Sequence, residues 1–327
     1  IVLNMWIFVT KLLLNQTDRN DSKSNQIEIL VCIPTYNAES TIGKAVKLCK
    51  EFTDSVIVVN DGSSDNSELV AREAGADVIN HKKNLGYGGA IKTGLEEGLK
   101  RNAKVTITFD ADLQHDANDI PKIIKPILSD NADIVIGSRF LESDDNVKAY
   151  RKFGIKLITK LINFCSGSHI NDAESGLRAY SLDSLKTIVP TLETEGMGMS
   201  AEILLKAAVQ KLKIIEIPRK EMYPEGVVTS SKNPLRHGFG VILTIFKLIM
   251  ENKPLPFFGI PAIIFFVCSG ISSSYVIDFY NQVGRLPLGL TVFTLLLLSI
   301  GFFLILAAMI LYVLSRISSR INFYSKN

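Results

Sequence analysis

Two long stretches near the C-terminal end of the chain contain no charged residue. They are residues 255–277 and residues 286–315. An α-helix needs about 20 apolar residues to cross the hydrocarbon core of a bilayer, so each stretch is long enough to span a membrane. The alternative is a pair of helices buried in a soluble core, but charge-free runs of this length are rare there. The sequence therefore predicts two transmembrane helices.

The short segment between these stretches holds Asp278 and Arg285, which predicts a loop and makes the pair a hairpin with both ends on one side. Basic residues near membrane spans mark the cytoplasmic side. The loop holds one of them, whereas three precede the hairpin and three follow it: Arg236, Lys247, Lys253, Arg316, Arg320 and Lys326. We therefore expect the large N-terminal part and the tail at 316–327 to be cytoplasmic, in a multi-pass membrane protein.

Residues 236–254, just before the hairpin, place apolar side chains at helical spacing. This pattern is typical of an interfacial helix in the headgroup layer, and equally of an amphipathic helix packed on the domain; both can hold. Residues 1–14 are apolar but too short to span a bilayer, so they either lie on its surface or have no fixed structure. Residues 15–26 are polar and complete a predicted tail at 1–26.

Residues 27–235 alternate apolar, β-branched runs with helical patterns. The predicted strands are 29–36, 55–61, a short one near Val78, 104–110 and 133–138. The predicted helices run from Ser40, as a capping residue, to about 52, from Asp65 onward, over 88–101 and over 119–129. Buried strands alternating with helices predict an α/β domain with a mostly parallel sheet covered on both faces. Ligands of such sheets bind beyond the carboxyl ends of the strands.

Composition and missing motifs exclude several classes of function. A net charge of +3 is too small to indicate nucleic-acid binding. The chain has no GxGxxG fingerprint and no GxxxxGK[ST] loop, which argues against NAD enzymes and P-loop NTPases. Its four cysteines are scattered, which suggests reduced, structural thiols, with a single disulfide as the alternative.

The most specific polar motif is FDADLQH at residues 109–115, directly after a predicted strand. Asp110 and Asp112 are two residues apart, and the amide of Gln114 follows two residues later. Carboxylate and amide oxygens suit Mg²⁺ or Mn²⁺ rather than zinc. An ion held there could neutralise a diphosphate leaving group. A solvated acidic turn is the alternative for this motif taken alone.

Other strand ends carry matching motifs. IPTYNAE follows the first strand, NDGSSD the second, GSR ends the strand near 138, and SGLR lies at 175–178. In this order and spacing they resemble the GT-A catalytic domain of family-2 glycosyltransferases, over about residues 27–235. Within that family the chain is similar to the dolichyl-phosphate mannose synthase group, which the C-terminal hairpin also fits.

The resemblance implies a role for each matching residue. Asp112 and Arg139 would be catalytic, and Asp110, Asp112 and Gln114 would hold Mg²⁺ or Mn²⁺. Ser138, Arg139 and Arg151 would meet the acceptor phosphate. The nucleotide-sugar would contact Pro34, Tyr36, Glu39, Asp61, Asp110, Arg219 and Lys232, the last within a loop that folds over the donor. Lys92 is a weaker candidate, because a basic residue on a helix is usually solvated.

The function implied is inverting transfer of a hexose from GDP-mannose or UDP-glucose to a polyprenyl (dolichyl) phosphate at the membrane. Leu177 stands where the family usually has Phe, which leaves acceptor details open. One alternative is a membrane glycosyltransferase with a lipid or polysaccharide acceptor, although the QxxRW motif of processive synthases is absent. A non-catalytic scaffold is the other, and the intact Asp61, Asp110, Asp112 and Arg139 argue against it.

Overall fold

The computed structural model of the protein describes residues 28–141, 149–193, 196, 198–220, 222, 246, 250 and 254–324. The predicted tail at 1–26, nearly all of the predicted helix at 236–254, and Lys232 lie outside the described residues. Phe246 and Met250, inside that predicted helix, are described as helical.

A seven-stranded sheet forms the centre of the large domain, in the order β3-β2-β1-β4-β6-β5-β7. Its strands are β1 (Ile29–Thr35), β2 (Val56–Asn60), β3 (Asp77–Asn80), β4 (Val105–Thr108), β5 (Ile134–Ser138), β6 (Arg178–Ser181) and β7 (Ile214–Pro218). Every neighbouring pair is parallel except those of β6, which runs antiparallel to both β4 and β5. The predicted mostly parallel sheet is confirmed.

Helices cover both faces of the sheet, as the alternating side chains of β1 require. The helices of the domain are α1 (Glu39–Lys50), α2 (Ser67–Glu73), α3 (Tyr87–Lys100), α4 (Ile120–Leu128), α5 (Ala149–Ser166), α6 (Leu182–Ile188) and α7 (Met199–Val209). Val31 and Ile33 point to the face that α1, α2 and α4 cover. Leu30 and Cys32 point to the opposite face, where α3 lies, and α5, α6 and α7 complete that side.

Helix α3 touches the sheet through two glycines. A Cβ at Gly94 would overlap the Cys32 Sγ in β1, and a Cβ at Gly98 would overlap the Thr106 Oγ1 in β4. Both neighbours are fully buried, so neither has room to move aside. The glycines thus set the distance between α3 and the strands that end at the polar edge.

Two helix starts differ from the prediction. Helix α1 begins at Glu39, with Ala38 and not Ser40 as its capping residue. Its first amides are fixed from another segment: the Ala38 N–H donates to Ser67 Oγ at 2.8 Å and the Glu39 N–H to Asp65 Oδ2 at 3.1 Å. Asp65 also accepts from the Ser67 N–H at 3.0 Å, so α2 begins two residues after it.

The two apolar helices are α8 (Pro254–Val283) and α9 (Leu288–Tyr324). Each is long and apolar enough to cross a membrane, and only 17% of either apolar stretch is buried, unlike the core helices of a soluble protein. Asp278 lies within α8 and not in the predicted loop, because the helix continues to Val283. Arg285 does lie in the turn, and α9 continues beyond the predicted boundary at 315.

Small and hydroxylated residues join α8 to α9. Ser272 Oγ and Thr294 Oγ1 are 2.6 Å apart, and Ser269 Oγ donates to the Thr294 carbonyl at 3.2 Å. Gly301, farther along α9, lies against the ring of Phe266, nearer the start of α8, so the helices are antiparallel. Small residues and hydroxyl hydrogen bonds are the usual means by which helices associate in lipid.

Among the described residues, Cys32, Cys49 and Cys268 are free thiols. Burial raises the pKa of Cys32 and of Cys49 to about 12, so both are unreactive thiols in the core. For these two, the predicted structural role agrees with the fold.

The contact between α3 and the sheet predicts a specific defect. Gly94→Ala should lower the free energy of unfolding by roughly 1–3 kcal/mol, because the added methyl overpacks a closed core. Gly154→Ala, in α5, is the matched control, since a Cβ there meets nothing within 4 Å. Thermal unfolding of the two detergent-solubilised variants measures the difference. Equal melting temperatures would show that α3 does not lie as close as described.

Candidate active site

The carboxyl ends of the parallel strands bring the predicted residues to one edge of the sheet. Asp61 follows β2, Asp110 comes shortly after β4, Ser138 ends β5, and Arg219 follows β7. Strand β6 runs the other way, so the segment before it, which includes Gly176, reaches the same edge. The edge is therefore polar, and the segment before β6 lies against the Asp110 carboxylate.

The loops after β1 and β2 are linked by hydrogen bonds around Asn37, which has a φ of +50°. Its Oδ1 accepts from the Ser64 N–H at 2.8 Å, and its own N–H donates to Ser63 Oγ at 3.0 Å. Glu39 accepts from the Asn66 N–H at 3.2 Å and from Asn66 Nδ2 at 3.0 Å. These bonds hold the two loops together as one rim of the edge.

Tyr36 and Glu39 lie on this rim with exposed side chains, and 48% of the Tyr36 surface is accessible. An exposed aromatic ring on a polar rim offers a face on which a nucleotide base could stack. Pro34, by contrast, is buried within β1. Its side chain is therefore not exposed beside those of Tyr36 and Glu39.

Asp61 is buried and accepts hydrogen bonds from donors on a single loop. The N–H groups of Leu85 and Gly86 donate to its two oxygens, both at 2.8 Å, and His81 Nδ1 lies 2.7 Å from Oδ1. His81 is fixed in turn by Thr93 in α3, whose Oγ1 is 2.9 Å from Nε2. Asp61 therefore anchors the loop that leads into α3.

Asp110 has a donor on each carboxylate oxygen. The Tyr87 hydroxyl donates to Oδ1 at 3.0 Å, and His115 Nε2 donates to Oδ2 at 2.9 Å. Gly176 lies so close that a Cβ there would overlap the carboxylate. Burial by itself raises the pKa of Asp110, but the hydrogen bonds from His115 and Tyr87 outweigh it and hold the pKa below its usual value. Asp110 is therefore ionised and fixed in orientation.

Asp112 lies in a tight turn after Asp110. The turn places Leu113 at a φ of +61°, a conformation that is strained for a residue with a side chain. In this conformation, Asp112 Oδ1 accepts a hydrogen bond from the Gln114 N–H at 3.1 Å. Backbone strain of this kind is concentrated at functional sites, which supports the interpretation of this turn as part of an active site.

The side chains of this turn are chemically suited to binding a divalent cation. Two carboxylates and the amide of Gln114 supply hard oxygen ligands of the kind Mg²⁺ prefers, and Mg²⁺ completes its shell with water and substrate phosphates. Among the described residues, no group of three or more His, Cys, Asp or Glu side chains forms a cage. The arrangement therefore suits an ion shared with a bound diphosphate better than one held by the protein alone.

Arg219 is buried beneath the turn, where it contacts three segments of the chain. Its Nε donates to the Gly137 carbonyl at 3.2 Å and lies 3.4 Å from Ser175 Oγ, and Nη1 reaches the Gln114 carbonyl at 3.5 Å. A cation in this position supports the turn that carries the predicted metal ligands. Arg219, which the sequence predicted to bind the donor, therefore lies at this edge of the sheet.

Arg139 forms a buried ion pair with Asp172. Its Nε and Nη2 donate to the two oxygens of Asp172, each at 2.7 Å, and both side chains are almost completely buried. Burial raises the pKa of Asp172, but the charge and hydrogen bonds of Arg139 outweigh it and hold the pKa below its usual value. Glu216 accepts from the Asp172 N–H at 2.8 Å and so fixes the segment that carries this partner.

Glu174 lies beside this ion pair with one carboxylate oxygen unpaired. Its Oε1 is buried and has no hydrogen-bond partner among the described residues. Burial, together with the charge of Asp172, raises the pKa of Glu174 to about 7, although Arg178 and Arg139 oppose the shift. This carboxyl group is therefore poised between its neutral and charged forms near neutral pH.

Some predicted residues are not tested by these contacts. Arg151 is in α5, but its side chain lies outside the described residues, as does all of Lys232. Lys92 donates to the Leu192 carbonyl at 2.9 Å, which ties α3 to the segment after α6.

Sequence reasoning gave no role to Tyr87, His115, Asp172 or Glu174. His115 was part of the FDADLQH motif, so its position offered a signal. Asp172 and Glu174 immediately precede the SGLR motif, and a pair of carboxylates beside a recognised motif was also a signal. Tyr87 is separated from Asp110 by more than twenty residues, so only the fold could pair them.

Comparison with known proteins agrees with this geometry. The model of "Glycosyl transferase family 2" matches residues 30–189. An uncharacterised protein of Methanocaldococcus jannaschii is 36% identical over 72% of this chain and 97% of its own length. The UDP-N-acetylglucosamine–dolichyl-phosphate N-acetylglucosaminyltransferase of Methanococcus voltae is 31% identical over 68% of this chain and 96% of its own length.

The chain belongs to glycosyl transferase family 2. A dolichyl-phosphate hexose transferase of Haloferax volcanii is 28% identical to this glycosyltransferase, over 69% of this chain and 96% of its own. Glucosyl-3-phosphoglycerate synthase of Mycobacterium tuberculosis, solved with Mn²⁺, UDP-glucose and phosphoglyceric acid, superposes with a TM-score of 0.55. It is 18% identical and covers 68% of this chain and 79% of its own, which shows that the GT-A fold is shared.

The raised pKa of Glu174 predicts a pH-dependent stability of the glycosyltransferase. The folded protein retains a proton up to about pH 7 that the unfolded chain releases near the ordinary glutamate pKa, so stability falls as pH rises between these values. Glutamine cannot ionise, so Glu174→Gln removes this fall in stability. The variant should be more stable than the wild type by roughly 1–3 kcal/mol at pH 8, and by much less at pH 4.5.

Melting temperatures at the two pH values measure the effect. Glu96→Gln is the control, because Glu96 is exposed on α3 and the change removes the same charge. A gain for Glu174→Gln that is equal at both pH values would contradict the assignment.

Proposed function

We propose that this protein transfers a hexose from a nucleotide-sugar, GDP-mannose or UDP-glucose, to a polyprenyl phosphate, with inversion at the anomeric carbon. The observation that carries the proposal is the convergence, at one edge of the sheet, of the Asp61 loop, the Asp110–Asp112 turn and the Arg139–Asp172 pair. The names of the two related transferases support a dolichyl-phosphate acceptor. The non-catalytic scaffold is disfavoured because every predicted acidic residue of the edge is held in place.

On the donor side, we propose that the nucleoside occupies the rim formed by the loops after β1 and β2. Tyr36 offers its exposed ring to the base, while Glu39 joins the loops after β1 and β2, and Asp61 anchors the loop that leads into α3. The diphosphate would then extend toward the turn at Asp112. Residues of the predicted loop around Lys232 would cover the donor from above.

Asp110, Asp112 and Gln114 would hold Mg²⁺ or Mn²⁺ together with the diphosphate. When bound, the ion supplies positive charge that stabilises the leaving nucleoside diphosphate. Asp110 is held for this role by Tyr87 and His115, so it requires no rearrangement as the charge develops. Preorganised charge of this kind is the main way in which proteins lower such barriers.

On the acceptor side, we propose that no strong general base is needed. A phosphate monoester already carries negative charge near neutral pH, since its second pKa is about 6. Its oxygen can therefore attack the anomeric carbon directly, from the face opposite the leaving group, and an α-linked donor gives a β-linked product. The protein must instead hold two negative groups close together, which calls for cations.

Arg139, Ser138 and Arg151 are the proposed acceptor residues. A guanidinium group can bind phosphate in a bidentate fork. In Arg139 the Nε and Nη2 donors of that fork are bound to Asp172, so Arg151 would be the residue that binds the acceptor phosphate in this way. Asp172 fixes the Arg139 guanidinium in one orientation at the end of β5, beside the buried Ser138. The ion pair thereby keeps this end of the site rigid for the acceptor.

The decisive assay presents the purified full chain with polyprenyl phosphate and a panel of nucleotide-sugars that includes GDP-mannose, UDP-glucose and UDP-N-acetylglucosamine. We expect one of them to yield a sugar linked to the lipid phosphate in the β configuration, as read by mass and NMR. Transfer only to a free lipid alcohol or a polysaccharide would favour the alternative acceptor. An α-linked product would refute the single in-line attack.

The metal site predicts a strong effect of Asp112→Asn. The variant keeps the size of the side chain but removes a charge that the metal requires, so turnover should fall at least about a hundredfold. Asp116→Asn is the matched control, because among the described residues the Asp116 side chain accepts hydrogen bonds only from Asn118, through its N–H and its Nδ2. EDTA should abolish wild-type activity, and Mn²⁺ should restore it. Full activity of Asp112→Asn would rule out this site.

The proposed orientation places the glycosyltransferase domain in the cytoplasm and the turn at 284–287 outside. In a background with Cys165→Ser and Cys268→Ser, Arg285→Cys should react with a membrane-impermeant maleimide on intact cells. Lys47→Cys, exposed on α1, should react only after permeabilisation. A reporter fused after Asn327 should likewise read as cytoplasmic. The reverse labelling pattern would overturn the orientation while leaving the enzyme assignment intact.

A further inference from the structure

Helix α5 exposes a row of large apolar side chains on its outer face. Phe153 is 71% exposed, Leu157 is 41% exposed and Phe164 is 67% exposed. Positions four and eleven residues apart fall on one side of a helix with 3.6 residues per turn, so these three side chains form a single stripe. A contiguous apolar patch on a surface usually marks a site of contact with a protein or a membrane.

A row of lysines runs beside this stripe. Lys152, Lys156 and Lys160 follow one another at intervals of one helical turn, and the last two are exposed. Among the described residues, none of these lysines forms an ion pair. We call the stripe and the lysine row together the outer face of α5. Phenylalanine and leucine flanked by lysine is the pattern of helices that lie in the headgroup layer of a membrane.

The inner face of α5 is an ordinary core surface. Ile158 and Ile162 are buried in the cluster between α5, α7 and the sheet, and Thr159 accepts from the Ala173 N–H at 3.1 Å. The helix is therefore firmly attached to the domain. The exposed apolar side chains of the outer face therefore take no part in packing α5 against the domain.

The same core cluster lies next to the start of the first apolar helix. Phe257, in the first turn of α8, packs against the cluster that contains Ile158 and Ile162. Helix α5 therefore lies on the side of the domain from which the chain enters the proposed bilayer. The two apolar helices hold the domain at that surface, so even a weak attraction between α5 and lipid would be favoured by the high local concentration.

The geometry points to the outer face of α5 as a surface that docks on the anionic headgroup layer of the bilayer crossed by α8 and α9. The apolar stripe would enter the interface, and the lysines would meet lipid phosphates. A second copy of the chain fits less well, because a symmetric contact through this face would bring the two lysine rows together. Docking would bring the first turn of α5, beside the proposed acceptor site, to the depth of a lipid phosphate.

This inference rests on the membrane placement proposed above, and not on the identity of the sugar or acceptor. The test uses the full chain in a background with Cys165→Ser and Cys268→Ser, reconstituted into nanodiscs that contain anionic phosphatidylglycerol. An environment-sensitive fluorophore is attached at Phe153→Cys, or at Leu69→Cys as the control. Leu69 is 56% exposed and lies on α2, on the opposite face of the sheet.

We expect lipids brominated near the headgroup to quench the label at 153 at least about twofold more than the label at 69. The double change Lys156→Glu and Lys160→Glu should reduce this quenching. Lys44→Glu with Lys47→Glu, on exposed positions of α1, carries the same change of charge and should not. A smaller effect in nanodiscs of neutral phosphatidylcholine would also agree with the proposal.

Three results would overturn it. A label at 153 that stays in water, in a protein still inserted in the nanodisc, would refute docking but not the membrane spans. A label shielded from water equally in detergent and in nanodiscs, without quenching by lipid, would indicate coverage by residues 223–253 of the same chain. Shielding that depends on protein concentration would indicate a second copy. Loss of the protein from the nanodisc would instead refute the membrane placement itself.

Discussion

The carboxylate of Asp110 is the point at which three separate segments of the chain meet. Tyr87 at the start of α3 donates to one oxygen, His115 in the following turn donates to the other, and Gly176 lies against the carboxylate on one side. With both oxygens held, the turn after β4 has one orientation. Everything proposed about the donor diphosphate depends on this fixed carboxylate, because Asp112 and Gln114 follow it within four residues.

The position of Tyr87 depends in turn on Asp61. Asp61 binds the N–H groups of Leu85 and Gly86, directly before Tyr87, and so sets where α3 begins. Two glycines in α3 then allow the helix to lie against the sheet without intervening side chains. The nucleoside end and the diphosphate end of the proposed site are thus parts of one rigid arrangement, in which a shift at Asp61 would also move the donor to Asp110.

The proposed acceptor end is organised around a buried ion pair. Arg139 and Asp172 neutralise each other in the interior, where an isolated charge would be strongly destabilising. Glu174 lies in the same region, its Oε1 has no hydrogen-bond partner among the described residues, and burial raises its pKa to about 7. Such a carboxyl group adapts its charge to its surroundings, so the arrival of an anionic phosphate nearby would favour its neutral form.

The sequence by itself determined the features that depend on local pattern. Apolar β-branched runs specified β1, β2, β4 and β5, the charge-free stretches specified α8 and α9, and the strand-end motifs indicated the edge at which the site lies. These features follow from burial and from the parallel arrangement of the strands, which brings their carboxyl ends to one edge of the sheet.

Tertiary structure alone decided the antiparallel β6, whose sequence Arg-Ala-Tyr-Ser contains no run of apolar β-branched residues. It also decided the start of α1, which depends on Ser67 and Asp65, and the pairing of Arg139 with Asp172, because partners that lie far apart in the chain meet only after the sheet has formed.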